Sequence, residues 1–405
     1  MDATSLEVAR AHDAGDPLAA FRARFSIPDP GLVYLDGNSL GRPPRAALEA
    51  VRRLAEEEWA GELIRGWSHW LDAPIRIGDL LGTSILGARP GEVVVTDSTT
   101  VNLFRLASAA LDARPGRRAI AIGREEFPTD RYVIEGLAAA RGLEIRWLEG
   151  DPIDGLTVEE LERLMDDDLA LLVLSHVNYR SAAIVDLADV TARARAAGAL
   201  VLWDLSHSGG ALPVNLEASG ADLAVGCTYK YLNGGPGAPA YLYVRRELQE
   251  SLRPPIQGWF AQAHQFEMGP SFESRAGIAG WLVGTPGMLG LAAAEAGITL
   301  SVEAGIERIR DKGVALTAYA VSLLDAWLAP LGCSLGSPRD PARRGNHVSI
   351  LHPDARGLTA ALIARGVIPD FRAPDSIRIG LSPLATSFED VHRGLTALRE
   401  LLEAG

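Results

Sequence analysis

A repeated alternation of short apolar runs and helix-like segments, between residues 91 and 246, constrains the fold of this chain most strongly. Continuous runs of valine, isoleucine, leucine and alanine are typical of strands that are covered by helices on both faces. The segments between them, such as 157–165 and 188–197, suit crossover helices, so we predict an α/β fold with a mainly parallel seven-stranded sheet. The predicted strands are residues 93–95, 119–122, 143–147, 169–174, 199–203, 223–226 and 240–244.

The pattern changes after about residue 290, where a long helical stretch (301–328) is followed by short apolar runs and a final amphipathic helix. This order of elements predicts a smaller α+β domain. We therefore expect an N-terminal arm that packs on the small domain, a large domain that binds its ligand at the carboxyl ends of the strands, and the small domain itself. The expected boundaries are 1–50, 51–290 and 291–405.

Charge and cysteine content exclude several classes of function. The chain has 39 lysine and arginine residues against 52 acidic residues, a formal net charge of −13, so neither nucleic acid nor a membrane surface is an expected partner. No apolar stretch is expected to cross a bilayer and no signal-peptide core is found, which predicts a cytoplasmic protein. The two cysteines, Cys227 and Cys333, lack metal-ligand spacing, so no metal site is expected.

Lysine is almost absent from the chain, because only Lys230 and Lys312 among the 39 basic residues are lysines. Arginine can replace lysine in salt bridges and phosphate contacts, but it stays protonated and cannot form an imine. Lys312 lies in a helical, surface-like stretch and is interpreted as a surface residue. Lys230 follows a predicted strand and precedes the glycine-rich turn 233–237, where backbone can approach a cofactor. Lys230 is therefore a candidate for imine formation, and a lysine that contacts a phosphate is the alternative.

Polar residues also end two other predicted strands. Asp204 and His207 follow the strand 199–203, and a carboxylate there either keeps a pyridinium nitrogen protonated or caps the next segment. Thr99 and Thr100 lie in a hydroxyl-rich run that opens a helix, which suits a phosphate as well as an ordinary N-cap. A phosphate site, a ring-nitrogen partner and an amine at the ends of strands in one sheet together predict pyridoxal 5'-phosphate (PLP) as the cofactor.

Four segments resemble the kynureninase family, which belongs to the aminotransferase class V group of PLP-dependent enzymes. Residues 203–208 (WDLSHS) are similar to the aspartate motif of the whole group, and residues 228–237 (TYKYLNGGPG) to the lysine loop of bacterial kynureninases. Residues 34–41 (YLDGNSLG) and 176–180 (HVNYR) resemble the N-terminal and central motifs of the family. The resemblance implies the PLP-dependent transferase fold of type I.

The resemblance also implies a role for each matching residue. Lys230 would carry the cofactor and move protons, Tyr229 would contact the phosphate and act as an acid, and Asp204 would pair with the ring nitrogen. Trp259 and Thr285 would reach the phosphate from a second subunit, so a homodimer with shared active sites is implied. The remaining cofactor-binding residues would be Thr99, Thr100, Phe127, Asp130, Ser175 and His207, and the substrate-binding residues would be Arg378, Asn38 and Ser39.

The implied reaction is hydrolysis of L-kynurenine, or of its 3-hydroxy form, to anthranilate or 3-hydroxyanthranilate and L-alanine, a step of tryptophan degradation that feeds NAD biosynthesis. A cysteine desulfurase or selenocysteine lyase on the same fold is the first alternative, but Val348 stands where the desulfurase-like pattern has its nucleophilic cysteine. A class V aminotransferase is a second alternative, and it would lack the N-terminal and central motifs. A PLP-binding regulator without activity is a third, supported by no feature of the chain.

Overall fold

The computed structural model of this chain describes residues 4–404, which form two sheets, one strand pair and the helices around them. The strands are β1 (Val33–Tyr34), β2 (Val93–Val95), β3 (Ala119–Gly123), β4 (Glu144–Leu148), β5 (Leu169–Ser175), β6 (Leu200–Asp204), β7 (Leu223–Gly226), β8 (Tyr241–Val244), β9 (Ser334–Leu335), β10 (His347–Leu351), β11 (Val367–Ile368), β12 (Asp370–Arg372) and β13 (Ser376–Gly380).

The α-helices alternate with the strands in the first two thirds of the chain and dominate the last third. They are α1 (Leu6–Ala14), α2 (Arg45–Arg53), α3 (Ala60–Glu62), α4 (Trp67–Trp70), α5 (Ala73–Leu81), α6 (Thr99–Asp112), α7 (Pro128–Arg141), α8 (Val158–Glu162), α9 (Leu187–Ala196), α10 (Met288–Ala304), α11 (Ile306–Leu323), α12 (Ala355–Ala364) and α13 (Phe388–Ala404).

The central sheet has seven strands in the order β2-β8-β7-β6-β5-β3-β4. Neighbouring strands are parallel except where β8 lies between β2 and β7, because β8 is antiparallel to both. Each of the seven predicted strands is present, and the predicted mainly parallel α/β sheet is confirmed. In the register of β5 and β6, Ser175 lies opposite Asp204, so the strand ends bring these two side chains to one edge of the sheet.

Both faces of this sheet are covered, which explains the uninterrupted apolar runs. Successive residues of β6 alternate between two apolar clusters, with Val201 and Trp203 on one face and Leu202 on the other. Helices α5, α9 and α10 cover the first face, whereas α6 and α7 cover the second. Burial on both sides leaves polar groups only at the strand ends, where a ligand can reach them.

The second sheet has four antiparallel strands in the order β12-β13-β10-β9, and it packs with α11, α12 and α13 around a separate apolar cluster. The helix predicted for 301–328 is wrong in one respect, because the chain breaks at Gly305 into α10 and α11. Gly305 has a φ of 82°, a conformation that glycine adopts without the steric cost that other residues meet. Helix α10 packs against α2 and α5 of the larger sheet's layer.

Helix α1 lies against α13, and the centroid of its His12 ring lies 5.8 Å from that of the Tyr319 ring on α11. The Asp13 carboxylate accepts hydrogen bonds from the backbone N–H groups of Phe388 (2.8 Å) and Glu389 (3.0 Å), and so caps the N-terminus of α13. Lys312 Nζ lies 2.6 Å from Asp16 Oδ2, and both side chains are buried. The interpretation of Lys312 as a surface residue is therefore wrong, because this face of α11 turns inward onto the N-terminal segment.

One helical stretch of the described chain, Ile306–Leu331, is long and apolar enough to cross a membrane by length and composition alone, because a window of 18 residues within it has a mean hydropathy of 1.5. The expectation that no stretch reaches this length was wrong. The stretch packs against α13 and β10, and its residues Leu316, Leu324 and Leu328 belong to the core of the smaller sheet's layer. Its apolar character is thus explained by its place in the core.

Candidate active site

Lys230 lies just beyond β7, in the turn that was predicted from the sequence. Its Nζ is 3.4 Å from His207 Nε2 and 5.8 Å from the centroid of the Phe127 ring. The N-terminal segment crosses this turn closely, since Gly41 N donates to the Tyr229 carbonyl at 2.8 Å. A Cβ atom on Gly41 would come within 2.3 Å of the Lys230 carbonyl oxygen, so the close crossing requires glycine.

Three buried carboxyl groups lie near this amine. Asp204 Oδ1 accepts from Ser206 N at 2.8 Å at the end of β6. Burial, and then the neighbouring Asp204, raise the pKa of Asp130 well above its usual range. Burial also raises the pKa of Glu126 to about 7, although the Ser175 hydroxyl and backbone N–H both donate to it. Glu126 was not predicted as a site residue; its position directly before Phe127, in the turn that follows β3, was the available signal.

The carboxyl groups fit the ring of PLP. Asp130 Oδ2 is fully buried and has no hydrogen-bond donor in residues 4–404. A protonated pyridine nitrogen would supply the donor that Asp130 Oδ2 lacks and a positive charge beside the carboxyl groups of Asp130 and Asp204. Phe127, half-buried beside Lys230, offers an apolar face for an aromatic ring.

The start of α6 fits the phosphate of the cofactor. Ser98 caps this 14-residue helix by accepting from Val101 N at 3.4 Å. Thr99 is half-buried and Thr100 is exposed at the same end, where free N–H groups and the helix dipole favour an anion. Tyr229 is half-buried, and the neighbouring Cys227 thiol, followed by burial, raises its pKa, so its hydroxyl stays protonated at neutral pH.

Arg378, on β13, joins the N-terminal and central motifs to the small sheet. The side chain is 1% exposed, and its Nη2 donates to Ser39 Oγ at 2.9 Å and to Asp370 Oδ2 at 2.6 Å. Its Nη1 donates to the Tyr179 carbonyl, and its Nε donates to the Asn38 amide oxygen at 2.9 Å when that oxygen faces the guanidinium. The structure thus brings together Arg378, Asn38 and Ser39, which the sequence grouped, and adds Asp370.

His347, the first residue of β10, is a second residue that the sequence analysis did not assign to the site. It is fully buried, and neither ring nitrogen has a hydrogen-bond partner in the described residues. Its ring centroid lies 5.6 Å from that of His207. Burial, together with the nearby Arg378 and Lys230 cations, holds the pKa of His347 well below its usual range. His347 is therefore neutral at physiological pH.

Trp259 and Thr285 lie apart from this site within the chain. Trp259 is 39% exposed and packs against Phe260 and Phe266, and Thr285 is exposed. In the part of the chain that the structure describes, neither side chain has a hydrogen bond to the residues around Lys230.

Comparison with curated proteins identifies the family. The kynureninase of Pseudomonas fluorescens is 43% identical over 399 residues, which cover 96% of this chain and 94% of that protein. The kynureninase of Burkholderia pseudomallei is 43% identical over 405 residues, covering 98% and 95%. The chain belongs to the kynureninase family. In agreement, the family model described as the kynureninase C-terminal domain matches residues 309–398. Kynureninases are PLP-dependent enzymes, so the predicted cofactor is confirmed together with the family.

Solved structures of other enzymes share the fold of this kynureninase-family chain. The cysteine desulfurase of Thermococcus onnurineus has a TM-score of 0.80 at 20% identity, covering 92% of this chain and 95% of that one. A mutant of C-DES with glycine covalently linked to its PLP cofactor has a TM-score of 0.81 at 18% identity, covering 94% and 99%. At this identity the likeness concerns the fold, and it confirms the predicted type I fold of PLP-dependent enzymes.

Proposed function

We propose that the residues described above catalyse the cleavage of L-kynurenine, and of its 3-hydroxy form, by water to anthranilate or 3-hydroxyanthranilate and L-alanine. One observation carries this proposal: Lys230 and Arg378 lie near the same pair of histidines. Lys230 Nζ is 3.4 Å from His207 Nε2, and the centroid of the His207 ring lies 5.6 Å from that of the His347 ring. Burial, and after it both cations, lower the pKa of His207 and that of His347. The Lys230 amine would bond the cofactor, and the Arg378 guanidinium would bind a carboxylate on the other side of the two histidines. This arrangement suits an α-amino acid as the substrate.

In this proposal, each residue has a role that follows from its surroundings. When bound, PLP would supply an electron sink that makes the bonds at the substrate α-carbon and β-carbon cleavable. Asp204 and Asp130 would hold the proton on its ring nitrogen. The Lys230 amine would hold the cofactor aldehyde and would carry the proton that leaves the substrate α-carbon. Tyr229, whose hydroxyl stays protonated, donates a proton as the alanine product forms.

Homodimer formation and cytoplasmic location belong to this proposal as well. The exposure of Trp259 and Thr285 supports a role at the phosphate of a second subunit, because neither has a task within its own site. The domain boundaries at residues 50 and 290 are likewise proposed, with the contact of α1 and α13 in support of an N-terminal arm that packs on the small domain.

A cysteine desulfurase is the second candidate function, favoured by the fold comparisons. That reaction needs an accessible thiol with a low pKa. Cys227 and Cys333 are both buried, and burial raises the pKa of each. Val348, at the position of the desulfurase thiol, is buried in β10. These features favour kynurenine hydrolysis.

The test is anthranilate fluorescence after the PLP-loaded protein is mixed with L-kynurenine. We expect a signal from the wild type and none from Lys230→Arg, since a guanidinium cannot bond the cofactor aldehyde. Lys312→Arg is the matched control, because it changes the other lysine of the chain outside the site. Activity that survives in Lys230→Arg would contradict the assignment of Lys230, and a PLP-loaded wild type without anthranilate would contradict the reaction.

A further inference from the structure

The hydrogen bonds of Arg378 leave no free face for a substrate carboxylate. A guanidinium binds a carboxylate through two parallel N–H groups, either Nη1 with Nη2 or Nε with Nη2. Both faces include Nη2, whose two N–H groups are taken by Ser39 Oγ at 2.9 Å and Asp370 Oδ2 at 2.6 Å. A bidentate grip therefore requires that one of these partners leave.

Asp370 is the partner that conflicts with a substrate carboxylate. Ser39 is neutral, whereas Asp370 is a carboxylate, and two carboxylates on one nitrogen repel each other. Asp370 and Arg378 lie opposite each other in the antiparallel pair of β12 and β13, so the register of these strands places the Asp370 side chain on Arg378.

Asp370 also pairs with a second cation, Arg372. Arg372, two residues along the same strand, donates from Nε to Asp370 Oδ2 at 2.7 Å, the same oxygen that Arg378 binds. The Arg372 side chain is 31% exposed and that of Asp370 is 18% exposed, so neither is locked in the core. Loss of its bond to Arg378 would leave Asp370 paired with Arg372.

We propose that the α-carboxylate of the substrate replaces Asp370 on Arg378, and that Arg372 retains the displaced Asp370. Asp370 is thus an internal competitor, and it determines specificity because only a ligand that carries its own carboxylate can displace it. The inference rests on the proposed role of Arg378 as the residue that binds the carboxylate, and it adds the residues that are exchanged there. No bond other than hydrogen bonds and ion pairs is made or broken in the exchange.

The exchange predicts opposite effects from two variants of the PLP-loaded enzyme. Asp370→Asn removes the competing charge, so the KM for L-kynurenine falls about fivefold, the order expected of a partly exposed ion pair. Arg372→Gln removes the residue that retains Asp370, so KM rises by about the same factor. In both variants KM changes more than kcat, because the exchange concerns binding of the carboxylate.

Two controls separate the exchange from simpler explanations. Asp375→Asn, in the same hairpin and 3.9 Å from Arg180, leaves KM unchanged. The inhibition constant of a kynurenine analogue without the α-carboxylate stays the same in Asp370→Asn, since that analogue never displaces Asp370. The visible absorbance of the bound cofactor and the melting temperature establish that each variant is folded and loaded.

Several outcomes would overturn the exchange. A KM that is unchanged or raised in Asp370→Asn, or lowered in Arg372→Gln, would show that Asp370 holds Arg378 in position, while Arg378 could still bind the carboxylate. Arg378→Gln tests that underlying role separately. If Arg378→Gln leaves KM unaltered, the proposed carboxylate site fails, and the exchange fails with it. If Asp370→Asn does not fold, the KM of Arg372→Gln decides the question: a rise supports the exchange, and an unchanged or lower KM overturns it.

Discussion

The surroundings of Lys230 and of Arg378 differ in charge. Three buried carboxyl groups, those of Glu126, Asp130 and Asp204, lie at the edge of the large sheet near Lys230. Arg378 and its neighbour Arg372 are instead already paired with the carboxylate of Asp370. Burial raises the pKa values of Glu126 and Asp130, so both carboxyl groups resist ionisation. Arg378, by contrast, donates to Asp370 and has every carboxylate-binding face engaged. In the proposed site, the cofactor would therefore bring a positive charge to the carboxyl groups, while the substrate would exchange places with a partner of Arg378.

This difference has a consequence for affinity. A ligand that supplies a cation to buried carboxyl groups removes an electrostatic cost, so binding of the cofactor is reinforced by the fold. A ligand that displaces an internal carboxylate gains only the difference in free energy between two similar ion pairs, so the proposed exchange predicts that the substrate is held less tightly than the cofactor.

Removal of the Asp204 charge should have the largest effect on activity in this comparison. Asp204→Asn keeps the shape of the side chain but loses its charge, and the activity should fall by about 10- to 100-fold, the value of a charge-assisted hydrogen bond. Anthranilate release by the PLP-loaded variant is the measurement, with the cofactor content checked by absorbance. Full activity in a loaded variant would mean that Asp130 alone can hold the ring nitrogen.

Glu126 should make the stability of the cofactor-free protein depend on pH. Its pKa is raised from 4.5 to about 7, so between these values the folded state binds more protons than the unfolded state, and stability falls as pH rises. Glu126→Gln cannot ionise, and it should be more stable than the wild type by roughly 1–3 kcal/mol at pH 8 but not at pH 4.5.

Thermal unfolding of both proteins at the two pH values measures this difference. Addition of PLP should reduce it, because the ring brings a positive charge to the carboxyl groups. If the difference in stability between Glu126→Gln and the wild type is the same at pH 4.5 and at pH 8, the raised pKa of Glu126 is contradicted.

The smallest expected effect concerns Ser39, on the substrate side. In the proposed exchange Ser39 stays bound and holds the Arg378 guanidinium in place while Asp370 leaves. Ser39→Ala removes this neutral hydrogen bond, so KM for L-kynurenine should rise by about threefold, as for the loss of about 0.7 kcal/mol. Steady-state kinetics provide the measurement, and Ser251→Ala, an exposed serine on another surface, is the control. A decrease in KM would place Ser39, rather than Asp370, as the partner that hinders the substrate.

The large sheet and its principal residues could be predicted because their signals are local. A strand buried on both faces is a continuous apolar run, and the residue that follows it lies at the ligand-binding edge by topology alone. Asp204 and Lys230 were predicted as site residues in this way, and the structure places both at this edge of the sheet. The family resemblance then supplied Arg378, which no local pattern distinguishes from the other arginines of the chain.

The residues that were missed owe their role to distant partners. Asp370 matters because the strand register sets it opposite Arg378, and His347 because burial leaves its ring without a partner; neither property can be read from neighbouring residues. Lys312 follows charged residues typical of an exposed helix, yet it faces Asp16, which lies 296 residues earlier. The break at Gly305 was missed because glycine is tolerated within helices at modest cost.

The capping of α13 by Asp13 ties together residues that are 375 positions apart. During synthesis, α1 leaves the ribosome long before the helix whose end it completes, and it must wait for nearly the whole chain to follow. This cap can therefore form only after the residues around Phe388 have been made, and contacts of such sequence separation are typical of slow folding steps. We expect a fusion partner attached ahead of α1 to lower the yield of folded protein more than it lowers the activity of the protein that does fold.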